Sequence, residues 1–382
     1  MVGCAYSDKR VLFLKYRGVI ILPIKIEIIA EFKIEKAQYL NKLGEATQDF
    51  PDFAKDPVVL LELYKLMLKT RIFDGKAISL QRTGRLGTYP SVLGQEGISV
   101  AIGHAMNSDD VFCPYYRDFG AHLQRGVTME ELFLFWGGDE RGSKFANNKE
   151  DLPHSIPVAS QILHAAGIAT AMKLRKQNRC AVTTVGDGGT SKGDFYEALN
   201  VAGVWNLPLV IVVNNNQWAI SVPLSSQTSC ETLAQKAISG NVYSEQVDGN
   251  DIIALRDRIG KAIEKARNGG GPTLIEAITY RLGDHTTADD ASRYRSLKEV
   301  EAAKKNDPMA RLRHYLRKKD FWDETQEQAL ISRYQQEVEQ AAQNYLNLPI
   351  QPVESMFDYL YEELPEALME QRQLAIDSQN GE

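Results

Sequence analysis

The stretch "TTVGDGGTSKGDFYEALN" at residues 183–200 sets a carboxylate, Asp187, directly before two glycines, and 26 residues separate its GDG from Asn215 and Asn216. Each half follows an apolar run, "CAVTTV" before the first and "LPLVIVV" before the second. Two such strands side by side deliver a carboxylate and a carboxamide to one edge of a sheet. Hard oxygen donors of this kind suit magnesium, which is commonly shared with phosphate oxygens. Gly188 and Gly189 let the backbone pass close to a ligand. The helical pattern beginning near Gly193 adds N–H groups and a positive dipole end. Asp187, Gly188, Gly189 and Asn216 therefore read as a site for a magnesium-bound diphosphate. GDGG alone is a common turn composition; the pairing of the two halves is what points to chemistry.

Other polar residues stand at comparable places. Tyr116 and Arg117 end "DDVFCPYYRD" (109–118), where a guanidinium fork suits phosphate oxygens. Arg117 beside Asp118 is equally the composition of a surface ion pair. His285 lies in the polar loop "YRLGDHTTADD", where no apolar face accounts for it. A histidine there titrates near neutrality and serves as donor or acid. Arg281 is similarly placed, and Asp284 orients the loop. His104 and His164 lie among small residues on helices and read as core or interface. His314 reads as solvated, while His122 and His154 stay open.

The elements that position these groups follow from periodicity. Residues 55–80 carry apolar positions at three- and four-residue spacing behind an Asp-Pro start, a helix. The glycine-rich loop "GRLGTYPSVLGQEG" (84–97) leads into a helix of small residues, and helical spacing returns at 128–136. Residues 137–157 form a long polar connection. Connections beyond about 12–15 residues are usually functional or disordered, and this one reads as a wall of the site because the core helix "ASQILHAAGIATAMKLRK" follows it. Strands "CAVTTVGDG", "LPLVIVVNNN" and "GPTLIEAITY" then alternate with helices "GDFYEALNVAGVW", "SCETLAQKAIS" and "DIIALRDRIGKAIEKARN". Strands apolar on both faces, alternating with helices, predict an α/β fold with a mostly parallel sheet covered on both sides. Its sites lie at the C-terminal strand ends. Residues 298–344 and "EELPEALMEQRQLA" are charged amphipathic helices.

Composition narrows the function classes. The 382 residues carry 44 basic and 50 acidic side chains, a net charge of −6, without the basic excess of a nucleic-acid binder. Cys4, Cys113, Cys180 and Cys230 are too sparse for a disulfide scaffold or a structural zinc site, which suits a reducing cytosol. Residues 11–32 are apolar, but Lys15, Arg17, Lys25, Glu27 and Pro23 interrupt them, short of the about 20 apolar residues of a membrane helix. They read as two short strands turning near Arg17 and Gly18, or as a loose arm that pairs with another subunit as an edge strand. A secretory signal with its cleavage site is not recognisable. The strand end reads "GDGGTSKGD", without the GxGxxG fingerprint of a nicotinamide dinucleotide site.

The run "GDGGTSKGDFYEALNVAGVWNLPLVIVVNNNQWAIS", with "GRLGTYPSVLGQEG", "PYYRD", "GPTLIEAITYRLGDHTTADD" and "MFDYLYEELP", resembles the alpha subunit of the thiamine-diphosphate-dependent decarboxylase component of 2-oxo acid dehydrogenase complexes. It is most similar to the bacterial heterotetrameric pyruvate form, over about residues 45–375. The resemblance implies a thiamine diphosphate-binding fold. It divides the chain into an N-terminal arm or short strands (1–44), a cofactor domain with peripheral helices (45–345) and a C-terminal helical tail (346–382). By resemblance, Asp187, Asn216 and the main-chain carbonyl of Trp218 hold magnesium. Gly188 and Gly189 cradle the diphosphate, and Tyr116 and Arg117 reach it. Ile156 and Val158 in "SIPVAS" support the aminopyrimidine; on pattern alone both are core. His285 lies beside the diphosphate near the lipoyl channel, with Arg281 close by.

Bacterial relatives often carry a histidine at the place of Arg125 that stabilises the reaction intermediate. Here either His122, one helical turn earlier, substitutes for it, or Arg125 supplies a charged donor. The implied reaction is oxidative decarboxylation of pyruvate with transfer of the acetyl group to lipoamide on the acyltransferase component. Branched-chain 2-oxo acids and acetoin are the alternative substrates. A non-catalytic scaffold is the alternative of another class, and it has no chemical need for these polar residues. In relatives the glutamate that makes the aminopyrimidine basic comes from a beta subunit. The expected partners are therefore that subunit, in an alpha2-beta2 heterotetramer with the cofactor at its interface, and a lipoyl domain. Small-residue helices at 97–106 and 164–172 offer close subunit packing. Thr286 occupies the place of a serine phosphorylated in mitochondrial relatives, and Ser292 is another hydroxyl. Ordering of this loop around the diphosphate is the simpler reading. The want of a recognisable transit peptide favours a bacterial cytoplasm.

Overall fold

The computed structural model describes residues 27–381 and, before them, the two-residue strands Val11–Leu12, Lys15–Tyr16, Val19–Ile20 and Ile24–Lys25. Lys15–Tyr16 pairs antiparallel with Val19–Ile20, and Val11–Leu12 with Ile24–Lys25. The turn expected at Arg17 and Gly18 lies outside the described residues. Six strands build the central sheet: β1 (Lys36–Ala37), β2 (Val111–Cys113), β3 (Ala181–Gly186), β4 (Leu209–Asn215), β5 (Tyr243–Asp248) and β6 (Thr273–Ile278). Their spatial order is β1-β5-β6-β4-β3-β2, and every pair is parallel.

The unbroken apolar character of β4 has a direct cause. Val210 and Val212 enter one core while Leu209, Ile211 and Val213 enter another, all fully buried. Side chains alternate across a strand, so a strand covered on both faces must be apolar at every position. The helices of six or more residues are α1 (Pro57–Arg82), α2 (Glu96–Ala105), α3 (Phe119–Gln124), α4 (Met129–Trp136), α5 (Ser160–Leu174), α6 (Gly193–Val204), α7 (Ile252–Arg267), α8 (Leu297–Lys304), α9 (Pro308–Lys318), α10 (Glu324–Leu346) and α11 (Glu366–Asn380). The first core gathers Met67 of α1, Ile98 of α2, Ile259 of α7 and Leu312 of α9. The second gathers Ile162 and Ala169 of α5 with Phe195 and Leu199 of α6. A third, with Phe73, Tyr89, Phe119 and Phe133, lies under the glycine-rich loop.

Local signals set the helix starts. Asp56 accepts from Val58 N ahead of Pro57, and Thr128 and Glu131 form a capping box on α4. Asp251 caps α7 and also accepts from Tyr39 N and Leu40 N at 2.6 and 2.7 Å. The sheet thus begins inside the segment read as an arm.

Three expectations change. "SCETLAQKAIS" does not form an α-helix; its later part enters the 3-10 segment Ala234–Gly240, whose Ala234 N is taken by Glu276 at 2.9 Å. β5 escaped notice because Ser244, Glu245 and Gln246 break the apolar run; Glu245 pairs with Arg258 and Gln246 reaches Glu276. The small-residue helix at 97–106 is buried from Gly97 to Ile102, against α3 and α7, whereas α5 exposes Leu163, His164 and Gly167. No helix among the described residues is long and apolar enough to cross a membrane.

Candidate active site

Gly186 at the end of β3 stands opposite Asn214 of β4 in parallel register, so Asp187 and Asn216 leave the sheet at the same edge. Both line an open cleft of about 410 Å³, together with Tyr116, Arg117, Gly188, Gly189, Trp218, Arg281 and His285. Asp187 opens a 3-10 turn, Asp187–Ser191. Its buried carboxylate accepts from Gln227 Nε2 at 3.2 Å, and burial pushes its pKa up to about 6. Asn216 donates through Nδ2 to Gln95 Oε1 at 2.9 Å, which turns Oδ1 to the acceptor role. Gln217, at φ +74°, reverses the chain before Trp218, whose carbonyl accepts from Arg281 Nη1 at 3.3 Å.

This donor set fits magnesium. A carboxylate, a carboxamide oxygen and a carbonyl are hard ligands, and a nearby cation restores the ionised form that burial disfavours. Among the described residues no group of three or more His, Cys, Asp and Glu could hold a metal, so the amide and carbonyl oxygens are needed to complete the set. The two glycines are required by packing against the protein itself. A Cβ on Gly188 would stand 2.6 Å from Ala219 Cβ, and one on Gly189 would collide with Val185.

The chain leaving β6 runs back along this edge, with Thr279 N on Asn215 O at 2.9 Å and Arg281 N on Asn216 O at 3.3 Å. It carries Arg281 and His285 over the cleft. His285 Nδ1 lies 3.1 Å from Arg117 Nη2 and 3.2 Å from Arg281 Nη1. A guanidinium only donates, so Nδ1 accepts and the neutral ring carries its proton on Nε2. Burial, then the two guanidiniums, push its pKa down to about 3. At neutral pH His285 is a hydrogen-bond donor rather than a base.

Arg117 donates to Ser91 O and His285 O; Arg281 donates to Ile220 O at 2.7 Å and Tyr294 Oη at 2.9 Å. Both are buried, and neither makes an ion pair among the described residues. Asp118, the alternative partner of Arg117, instead accepts from Tyr115 N and Thr184 Oγ1. Two buried, uncompensated cations beside Asp187 make the cleft a receptor for an anion. Ala159, Gln217 and Ile220 hold positive φ around it. For a β-branched residue such as Ile220 this is strained backbone, of the kind that gathers at functional sites.

The family model described as "Dehydrogenase E1 component" matches residues 64–354, a span that contains the whole cleft. The chain belongs to the dehydrogenase E1 component family. A Staphylococcus epidermidis protein named "Pyruvate dehydrogenase E1 component subunit alpha" is 40% identical over 354 residues, 92% of this chain and 95% of the relative. A Staphylococcus aureus protein of the same name is 39% identical over the same shares.

In this dehydrogenase E1 component chain the cleft does not gather every residue that the sequence singled out. Tyr116, Arg117, Val158, Asp187, Gly188, Gly189, Asn216, Trp218, Arg281 and His285 line it. Ile156 is absent from the lining and is half exposed. Neither His122 nor Arg125, one of which was expected to act there, lines it. Arg125 is spent on structure: Nε and Nη2 bind Asp151 at 2.5 and 2.9 Å, while Nη1 and Nη2 donate to Asn107 O and Asp110 O. His122 is enclosed by Phe112, Phe145 and His154, and neither ring nitrogen reaches a protein partner among the described residues.

Sequence reasoning passed over Gln95, Gln161 and Gln227. Glutamine carries no titratable signal, and only packing shows that these three reach Asn216, Thr184 O and Asp187.

Proposed function

We propose that this chain is the alpha subunit of a pyruvate dehydrogenase, and that its cleft holds the diphosphate end of thiamine diphosphate with magnesium. The observation that carries the reading is the pair of buried guanidiniums, Arg117 and Arg281, which make no ion pair among the described residues and line the cleft with the buried carboxylate Asp187. An anion and a divalent cation together balance that arrangement. Asp187, Asn216 Oδ1 and the Trp218 carbonyl hold the metal, and Gly188 and Gly189 give the phosphates a close backbone approach. Thiamine diphosphate, when bound, supplies the electron sink that lets a 2-oxo acid lose carbon dioxide and pass its acyl group to a lipoyl sulfur. The protein's part is positioning and charge. Arg117 and Arg281 neutralise phosphate oxygens and fix the His285 ring, whose Nε2–H is left as a donor toward the reacting groups.

The reading includes a beta subunit. Val158, Ile220 and Val222 line the cleft yet are 46%, 56% and 42% exposed, and Ile156 nearby is 50% exposed. A second chain seated on these apolar side chains closes the cofactor between the two subunits. Asp187, the acidic residue of the lining, is committed to the metal, so the carboxylate that activates the aminopyrimidine is assigned to the partner. The lipoyl domain of an acyltransferase completes the assembly.

The test is decarboxylation by this chain, with and without its co-expressed beta partner, on pyruvate and on 3-methyl-2-oxobutanoate, with thiamine diphosphate and magnesium. Activity that needs the partner and favours pyruvate is expected. Preference for the branched substrate would change the substrate assignment, and an assembled complex that binds no thiamine diphosphate would overturn the reading.

A further inference from the structure

Behind the turn Asp187–Ser191 stands a charged side chain that does not line the cleft. Lys236, in the 3-10 segment Ala234–Gly240, is 6% exposed. Its Nζ donates to Thr190 O at 3.0 Å and to Thr190 Oγ1 at 2.9 Å. Thr190, fully buried, donates in turn through Oγ1 to the main-chain oxygen of Asp187 at 2.7 Å. The same segment is tied to the other half of the motif: Glu276 on β6 accepts from Ala234 N at 2.9 Å and from Asn215 Nδ2 at 2.7 Å. One seven-residue segment thus supports the main chain of Asp187 on one side and the side chain of Asn215 on the other.

Lys236 makes no ion pair among the described residues. The ring of Tyr196 lies 5.8 Å from Nζ, and Cys230, Glu276 and Asp187 are near enough to act on the charge without pairing with it. A buried ammonium held by two neutral oxygens is costly to the fold. That cost is offset when an anion occupies the turn in front of it, because low-dielectric surroundings strengthen the attraction.

We propose that Lys236 is a positioning residue of the diphosphate site, which fixes the turn Asp187–Ser191 from behind through Thr190 and sets a positive charge at the back of the bound anion. The inference rests on the diphosphate reading above. It separates two effects: Thr190 transmits position, whereas the ammonium also supplies charge.

The experiment uses the assembled alpha–beta protein, with thiamine diphosphate affinity measured by calorimetry at saturating magnesium and thiamine as a competitor lacking phosphates. Lys236→Met is expected to weaken thiamine diphosphate about 10- to 100-fold, the range for losing a charged hydrogen bond. Thiamine competition and the cofactor-free melting temperature should hold. Lys236→Arg should restore most of the affinity, and Thr190→Val should fall between them because the charge stays while the tether is lost. Wild-type affinity in Lys236→Met would overturn the proposal. So would equal loss for thiamine and thiamine diphosphate together with a lowered cofactor-free melting temperature, the mark of a merely structural lysine. Should Lys236→Met fail to assemble, Thr190→Val decides: unchanged thiamine diphosphate affinity there overturns the proposal. Failure of the wild-type complex to bind thiamine diphosphate is distinguishable, since it needs no variant, and it would sink the diphosphate reading and this inference together.

Discussion

The cleft at the end of β3 and β4 and the enclosure around α3 both bury charged and polar side chains, and they differ in what is left unpaired. In the cleft, Arg117 and Arg281 are spent on carbonyls and on His285, without a carboxylate. Around α3, Arg125 meets Asp151 through two bonds and closes two carbonyls besides. The two histidines run the other way: His285 is held through Nδ1, whereas neither ring nitrogen of His122 has a partner among the described residues. Both are kept neutral, but His285 is oriented by two guanidiniums at the mouth of a cleft, and His122 sits 4.4 Å from the His154 ring among phenylalanines. Buried polar groups are ordinarily satisfied within the protein. The exceptions that face open space mark where a ligand completes the structure, while closed networks mark the fold.

Breaking the closed side should cost stability and leave chemistry alone. Arg125→Met strands Asp151 in the interior, and removing one partner of a buried pair costs about 3–5 kcal/mol. Urea unfolding should show this loss, with kcat per folded molecule kept. Unchanged stability with lost kcat would move Arg125 into the active site. Breaking the open side should do the reverse. Asp187→Asn is expected to weaken magnesium-dependent thiamine diphosphate binding by about 30-fold or more, the effect of truncating one member of a buried charge pair. Its fold should hold, and titration calorimetry checks the affinity.

His285→Ala removes a preorganised donor and should lower kcat about 100-fold with a smaller change in cofactor affinity, which steady-state kinetics at saturating cofactor can separate. Equal losses in both would make His285 a cofactor ligand only.

The smallest effect belongs to His122→Phe, which should change stability by about 1 kcal/mol or less at pH 7 and leave kcat unchanged. Its pH dependence sharpens the comparison. Burial holds the folded-state pKa of His122 well below its ordinary value, so the unfolded chain binds more protons below about pH 6.5 and wild-type stability falls with pH there. The variant lacks that part of the slope, so its stability relative to wild type should rise as pH falls from 7 to 5. His154, lowered to about 4 by burial, keeps part of the slope in both proteins. Parallel acid curves would contradict the enclosure.

The strand-end half of the candidate site was legible because it is local. Asp187 and Asn216 each end an apolar strand, and a doubly covered parallel sheet aligns such ends whatever the rest of the chain does. The α/β layering was legible for the same reason, since β3, β4 and β6 are covered on both faces and so are apolar over most of their length. β5 was not, because its polar residues are satisfied by partners far along the chain or in the next element. His285 stood out by its polar loop, but nothing local showed that His122 and Arg125, of the same residue types as His285 and Arg117, lie outside the cleft.

What the sequence by itself determined was therefore chemistry at strand ends: a carboxylate, a carboxamide and two glycines placed by an alternation that reads out in one dimension. Which arginines and histidines face the cleft was decided only by tertiary structure. Arg117 meets His285 across 168 residues of chain, and Lys236 reaches Thr190 across 46. Contacts of that reach depend on how helices cross and on which groups are left without a partner once they have packed, and neither is encoded in the periodicity of any single segment.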